Sequence, residues 1–441
     1  MSPVSRGRKS KKQKKAQKSR QRATTAGMHR NAAALATLRD QLSVERQRPK
    51  WFDPSIAAIL QHSQTLMTAA GPRELEQATA ELTGAEVHRA LREERAGLWF
   101  DWWFQELARA AGERVAAEAA GNGDVWQAPW RLLHGLAAIG SPALRSAALQ
   151  AAEAAAGMLA PEQAATQPEW LSRCPDGAVT GQVWVMHDGY RTRFAVFAES
   201  GYPSAGSPHG ADPHIFLLDI DACGFATLAG AAAFDSLEQA AAAWRQGKGD
   251  SAGDARPEPV TNYTQLDCLV HCDLGPEGPF RGGEPRAVTD NLFRASRRVH
   301  DIAQAMAAQG HPWGPEHEQL YAGRDGEVEA AAQAFSAWYA RRHGSEPHGE
   351  AVRWLAADWL QGTLPGYGNA VSPHRVKHLL AYMDDDWRPE EPATKAAYEL
   401  LPEWVRWNGE QAGVPRHLIE RSAAVAEGQP WPAGECPAFA F

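Results

Sequence analysis

The hydrophobic positions of this chain change their period twice. Apolar residues recur at helical spacing between about residues 53 and 158, alternate as in strands between about 183 and 234, and return to helical spacing from about residue 289. Runs rich in aromatic and β-branched residues predict strands at 182–188, 192–199, 214–220, 225–234 and 264–273. The sequence therefore predicts an α+β fold, mostly α, in which two helical domains flank a small, mainly antiparallel sheet of four or five strands.

Capping signals predict where the helices begin. Asp53-Pro54, Ser141-Pro142 and Ser372-Pro373 each pair an N-cap residue with proline at the first helical position. Thr83 and Glu86 fit a capping box, which predicts that a new helix begins there and runs to about residue 118 after a short helix at 73–82. Further helices are predicted at 237–245, packed on the sheet, and at 289–308, 327–342, 350–361, 373–385, 394–411 and 415–426.

These elements predict five regions. They are a disordered basic tail at 1–30, a helical domain at 31–170, a strand-rich domain at 171–285, a second helical domain at 286–427, and a tail at 428–441. In the first helical domain, Trp99, Trp102 and Trp103 recur at helical spacing. That spacing favours a buried packing face over a platform on which bases or sugars stack.

Composition favours a cytoplasmic protein. Five cysteines are scattered along 441 residues, which does not resemble the framework of a disulfide-linked secreted fold. The chain has no apolar run of the length that crosses a bilayer, and its N-terminus lacks the apolar core of a signal peptide. We therefore expect a soluble, intracellular protein.

The charge is distributed very unevenly. Residues 1–30 hold 11 of the 45 basic side chains and no acidic one, which leaves 34 basic against all 53 acidic side chains in the other 411 residues. Only four lysines lie outside this tail, so the cluster departs from the local composition. The segment 6–22 is predicted to bind polyanions, RNA or DNA, through ten side chains: Arg6, Arg8, Lys9, Lys11, Lys12, Lys14, Lys15, Lys18, Arg20 and Arg22. Such a tail could instead aid solubility or be cleaved.

Capping residues and apolar core positions combine in five short segments: HIFLLDID (214–221), LAADW (355–359), SPHRVKHLL (372–380), LPEWV (401–405) and AGVP (412–415). Together they resemble uncharacterised actinobacterial proteins of the SEC-C or plasmid-ORF type, over about half of the chain. The resemblance implies a bacterial cytoplasmic protein with a mixed core and a helical C-terminus. It brings no known activity, and this sequence lacks the cysteine-rich zinc knuckle often attached to SEC-C proteins.

Two groups of residues have the chemistry of metal ligands. Cys268, His271 and Cys272 lie within five residues, but strand alternation would send the histidine to the opposite face, and no second ligand pair follows. His374 and His378 share a helical face ahead of the aspartates at 384–386, and without a further ligand this pattern favours an exposed polar face. We expect no structural or catalytic metal and no cofactor.

Two other motifs suggest chemistry. Asp219 and Asp221 share a face at the end of a strand and could act as paired carboxylates, together with His187 or His214. Gly413 joins two helices as in a helix-turn-helix, but the acidic surroundings favour a packed helical hairpin.

Two classes of function follow. The first is a non-enzymatic adaptor or regulatory protein whose acidic body meets a protein partner and whose tail binds nucleic acid. The alternative is a hydrolase-like or small-ligand-binding protein that uses polar residues of the strand-rich region.

Overall fold

The computed structural model describes residues 48–93, 96–121, 124–203, 211–223, 227–270, 286–311, 324–361, 363–364 and 366–430. The α-helices of these residues, in chain order, are α1 (Phe52–His62), α2 (Pro72–Ala90), α3 (Phe100–Ala119), α4 (Gln127–Ile139), α5 (Pro142–Ala156), α6 (Pro161–Ala165), α7 (Leu237–Lys248), α8 (Tyr263–Val270), α9 (Arg286–Thr289), α10 (Leu292–Ala308), α11 (Asp325–His343), α12 (Gly349–Leu360), α13 (Pro373–Asp386), α14 (Pro392–Ala412) and α15 (Arg416–Ala426). The strands are β1 (Ala178–His187), β2 (Arg193–Tyr202), β3 (Ala211–Asp221), β4 (Thr227–Phe234) and β5 (Glu258–Pro259).

The strands form one sheet in the order β4-β3-β2-β1-β5, and every neighbouring pair is antiparallel. This confirms the predicted α+β class, mostly α, with a small antiparallel sheet. The predicted helix at 237–245 corresponds to α7, which packs Ala240, Ala241 and Trp244 on one face of the sheet. Helices α8 and α10 cover the other face, where Phe194, Phe216 and their neighbours are buried.

The fifth predicted strand, at 264–273, is wrong. Residues 263–270 form helix α8, because Asn262 accepts a hydrogen bond from the backbone N–H of Gln265 and buried Leu266, Leu269 and Val270 recur at helical spacing. The short strand β5 takes the edge position beside β1 instead.

The predicted helix start at Thr83 is also wrong, since α2 continues from Pro72 to Ala90. The Thr83 hydroxyl donates back to the carbonyls of Thr79 and Ala80 and so caps nothing. Gly84 lies inside α2 at the point where the helix passes close to Asp290. A Cβ at this position would lie 2.2 Å from the Cα of Asp290, so the position requires glycine. The glycine therefore marks a close contact between chain segments, not a helix end.

The aromatic face of the N-terminal helices is a packing face, as predicted, for Trp99 and Trp103, which are both buried. The indole N–H of Trp103 donates to the hydroxyl of Ser55 at 2.7 Å. Trp102 keeps 38% of its surface exposed and stacks on Trp99.

The C-terminal helices pack around a core of their own that contains Phe335, Leu355 and Trp404. Gly413 ends α14 in the left-handed conformation, with φ of 66°. Ile419 of α15 packs directly against Gly409 of α14. The predicted packed hairpin at 410–421 is confirmed.

A buried ion cluster joins α2, β2 and α10. The Nη2 of Arg298 lies 2.7 Å from Glu76 Oε1 and 2.6 Å from Oε2, and its Nη1 donates to Asp301 at 2.9 Å. The Tyr202 hydroxyl also donates to Glu76, at 2.7 Å. Burial raises the pKa of Glu76, but Arg298 and then Arg294 outweigh it and hold that pKa below its usual value. The cluster thus couples the N-terminal helices to the sheet through one carboxylate.

The contacts that residues make in space divide the chain into Met1–Phe52 and Asp53–Phe441. The strand-rich region and the helices that follow it therefore belong to one unit. The exact region boundaries at 170 and 285 stay predictions. In the part of the chain that the structure describes, no helix is long and apolar enough to cross a membrane.

Candidate functional site

A buried charge cluster occupies the end of the sheet where β2 begins and β3 ends. Asp221 lies opposite Arg193 in the antiparallel register, and Asp219 lies opposite Ala195. Paired residues of neighbouring strands share a face, so Arg193 and both aspartates lie on the face that α7 covers. A bulge between Asp219 and Ile220 shifts the pairing with β4 at the same place.

Asp219 accepts hydrogen bonds from three side chains. Arg193 donates from Nε to Oδ1 and from Nη2 to Oδ2, both at 2.9 Å. From α7, Trp244 Nε1 donates to Oδ1 at 3.0 Å and Lys248 Nζ donates to Oδ2 at 2.7 Å. Burial raises the pKa of Asp219, but Arg193 and then Lys248 outweigh it, so the pKa lies below its usual value. Asp219 is therefore a fixed, fully engaged carboxylate.

Both carboxylate oxygens of Asp221 also have partners. Its Oδ2 lies 3.1 Å from Nη1 of Arg193 and 2.9 Å from Nδ1 of His374, and its Oδ1 accepts the backbone N–H of Cys223 at 2.9 Å. Burial raises the pKa of Asp221, yet His374, followed by Arg193, holds it well below the usual value. The guanidinium of Arg193 thus offsets part of the negative charge of both predicted carboxylates.

The two histidines predicted to accompany these carboxylates lie elsewhere. His187 pairs with Phe194, which places it on the opposite face of the sheet from Asp219, and its Nδ1 lies 2.7 Å from the carbonyl oxygen of Asp188. His214 lies near the far end of β3, stacks on Tyr202 and belongs to the surroundings of Glu76. The structure brings Asp219 and Asp221 together, but neither His187 nor His214 joins them.

His374 takes the place at Asp221 that the sequence suggested for those histidines. The predicted exposed face is wrong for His374, which is buried, because Pro373 and His374 at the start of α13 pack against the end of the sheet. The ring of His378 lies 4.6 Å from that of His374 and is half-buried. Asp384 is instead on the outer side of the helix, where it accepts a hydrogen bond from Tyr398.

A small cavity of about 10 Å³ lies beside the cluster, lined by Asp188, Tyr190, Thr192, Arg193, Cys223, Lys248, Ser251, Ser372, Pro373 and His374. A space of this size holds about one water molecule. The Cys223 sulfur lies 3.1 Å from the Ser372 hydroxyl, and burial, followed by Asp221, raises the pKa of the thiol well above its usual value. Without a further cation, Cys223 is a neutral thiol and no activated nucleophile.

Asp188 accepts the backbone N–H groups of Thr192 and Arg193 and so shapes the turn between β1 and β2. Burial raises its pKa to about 7 despite these two bonds.

Replacing Asp188 with asparagine is expected to make the stability of the protein less sensitive to pH. The folded carboxyl keeps its proton up to about pH 7 while the unfolded one loses it near pH 4, so this group stabilises the fold at low pH and loses that effect as pH rises through 7. Asparagine keeps the acceptor oxygen and does not ionise. Urea unfolding should show the variant gaining about 2 kcal/mol relative to the parent between pH 5 and pH 8. Asp250→Asn, at an exposed carboxyl, is the control, and parallel pH profiles of Asp188→Asn and the parent would contradict the expectation.

The other predicted groups are placed as follows. Cys268 is buried in α8, and His271 and Cys272 lie outside the described residues. The whole basic segment 6–22 also lies outside them, so its polyanion binding stays a prediction.

Fold and site together define an α+β protein whose small antiparallel sheet ends in a buried cluster of carboxylates and cations. Comparisons of the chain with family models, with curated proteins and with solved structures found no match.

Proposed function

We propose that this is a non-enzymatic bacterial cytoplasmic adaptor or regulatory protein that binds nucleic acid, or another polyanion, through the basic segment 6–22. The observation that carries the proposal is the charge distribution. Ten lysines and arginines fall in 17 residues without a single acidic neighbour, while the chain as a whole carries a net charge of −8. A basic array of this kind neutralises several phosphates at once and reads no base sequence, because it holds no aromatic side chain for stacking.

Two arginines of the α14–α15 hairpin are paired with carboxylates. In the α14–α15 hairpin, Arg406 donates to Glu403, Glu420 and Glu427, and Arg421 pairs with Asp250. These arginines are compensated by carboxylates where a helix-turn-helix would present cations to phosphate. The acidic body is better suited to a protein partner of opposite charge.

A hydrolase-like role for the sheet has weaker support. Asp219 and Asp221 are held by Arg193, Lys248 and His374, and the adjoining cavity holds about one water. A general base needs a carboxylate within hydrogen-bonding reach of a substrate, and both carboxylates are buried.

The proposal is tested by removing the tail. Fluorescence anisotropy with short RNA and DNA oligonucleotides of unrelated sequence should show that a variant beginning at Met28 binds at least about tenfold more weakly than the full chain at low salt. The logarithm of the association constant of the full chain should fall linearly with the logarithm of the salt concentration, with a slope of about −0.9 per phosphate contacted on duplex DNA. The affinity should vary little with the sequence of the oligonucleotide.

Two full-length variants sharpen this test. Replacing the four arginines at 6, 8, 20 and 22 by lysine keeps the charge and should keep the affinity, whereas replacing all ten basic residues by glutamine should abolish binding. Equal binding by the shortened chain, or binding that does not respond to salt, would contradict the proposal.

A further inference from the structure

Three side chains of metal-ligating type meet at the charge cluster. Asp221 ends β3, Cys223 follows two residues later, and His374 comes from the first turn of α13. One ligand atom from each, a carboxylate oxygen, a thiol sulfur and an imidazole nitrogen, lies within 4.8 Å of the other two, and all three side chains are buried. Sequence spacing separates the first two from the third, so the group is visible only in the fold.

We propose that Asp221, Cys223 and His374 bind one divalent transition metal ion, with zinc as the best match. Thiolate, imidazole and carboxylate are the three side-chain ligands that zinc takes, at about 2.0–2.3 Å. A tetrahedral site with these bonds separates its ligand atoms by roughly 3.4–3.7 Å. Ligand atoms that are at most 4.8 Å apart reach such separations by shifts of up to about 1 Å. The neighbouring cavity of about 10 Å³ leaves room for water as the fourth ligand.

The charges of the cluster are compatible with a bound ion. Asp219 and Asp221 are balanced by Arg193 and Lys248. A divalent ion that displaces the thiol proton adds one net positive charge, and Asp188, on the wall of the same cavity, supplies one negative charge when ionised. Buried charges of opposite sign then cancel, as the low polarity of the site requires.

Neighbouring groups support two of the ligands. Arg193 donates to the ligating carboxylate of Asp221, and the Ser372 hydroxyl contacts the sulfur of Cys223 at 3.1 Å. Ser372 is also the N-cap of the 14-residue helix α13, so the sulfur lies by the N-terminus of that helix. Such supporting contacts orient metal ligands in proteins.

The bound ion joins the end of the sheet to the C-terminal helices and adds to the stability of that junction. The sequence led to the expectation of no metal, because its local pattern pairs His374 with His378 and does not show that Asp221 and Cys223 lie beside His374.

The test uses the full chain, freed of metal by a chelator and titrated with Co²⁺ alone. One equivalent should bind, with a thiolate-to-cobalt charge-transfer band and the visible bands of a tetrahedral cobalt site, and Zn²⁺ should displace it. Zn²⁺ should also raise the thermal unfolding midpoint. His374→Gln should weaken Zn²⁺ binding by about a hundredfold or more, since losing even a group that supports a ligand costs 10- to 100-fold.

Cysteine variants identify which thiol binds the metal. Cys223→Ala should lose the charge-transfer band, whereas Cys174→Ala and Cys268→Ala, at the other buried free thiols of the described residues, should keep it. Circular dichroism checks that each variant is folded, and Cys223→Ser replaces Cys223→Ala if the latter is not. Failure of the folded parent to bind Co²⁺, or a band that survives substitution of Cys223, would overturn the proposal.

Discussion

Arg193→Met is expected to lower the free energy of unfolding by roughly 3–5 kcal/mol, measured by urea denaturation at pH 7. The substitution preserves an apolar stem of similar length but removes three hydrogen bonds to two carboxylates. Asp219 and Asp221 would then lie together in a buried site with one cation fewer. Uncompensated buried charge is among the largest single causes of destabilisation.

The variant also changes how stability depends on pH. Arg193 helps to hold the pKa of both carboxylates below the usual value. Without it these pKa values rise, so the variant recovers part of its stability when the pH is lowered towards 5 and the carboxylates take up protons.

Two controls test the cause. Arg191→Met, at the exposed neighbour in the turn, should change stability by less than about 0.5 kcal/mol. Adding Asp221→Asn to Arg193→Met should restore part of the loss, because it removes one of the two carboxylates that lose the guanidinium while Asp219 keeps Lys248 as its partner. A loss below about 1 kcal/mol for Arg193→Met would show that the remaining partners neutralise the pair unaided.

Glu76→Gln is expected to cost roughly 3–5 kcal/mol as well, because among the described residues it leaves buried Arg298 with Asp301 as its one remaining charged partner. Arg298 has no exposed surface, so water cannot take over the role of the lost carboxylate. The folded pKa of Glu76 is lowered, so its stabilising effect is present above the unfolded pKa and is lost as pH falls below it.

A double-mutant cycle measures the coupling. The double variant Glu76→Gln with Arg298→Met should be less destabilised than the sum of the single variants, by 1 kcal/mol or more. The exposed pair of Glu169 and Arg173 is the matched control, and Arg173→Ala should cost less than about 1 kcal/mol. Additive effects of the two buried substitutions would show that the ion pair contributes no coupling energy.

Local signals account for the parts of the fold that were predicted from sequence. The N-cap Ser236 accepts the backbone N–H of Gln239, and Ser372 accepts that of Arg375, where the sequence places helix starts. Alternation also placed Asp219 and Asp221 on one face. These features depend on residues a few positions apart.

The errors arose where distant contacts decide the structure. Thr83 and Gly84 read as a helix boundary because nothing in the local sequence reveals the approach of Asp290. His374 read as exposed because its partner, Asp221, lies in another part of the chain. One signal was available: Arg193 directly precedes the apolar run at 194–198, and a buried arginine requires an anionic partner.

The pairing of Arg193 with Asp221 bears on how the sheet finds its alignment during folding. Sliding β3 along β2 by one residue would turn both aspartates towards the apolar layer around Phe194, away from the guanidinium of Arg193. Sliding by two residues would keep the face but set one aspartate beyond the reach of the guanidinium. Misaligned sheets are thus penalised by electrostatics as well as by packing, and the cluster selects one strand alignment from several that the apolar pattern alone would tolerate.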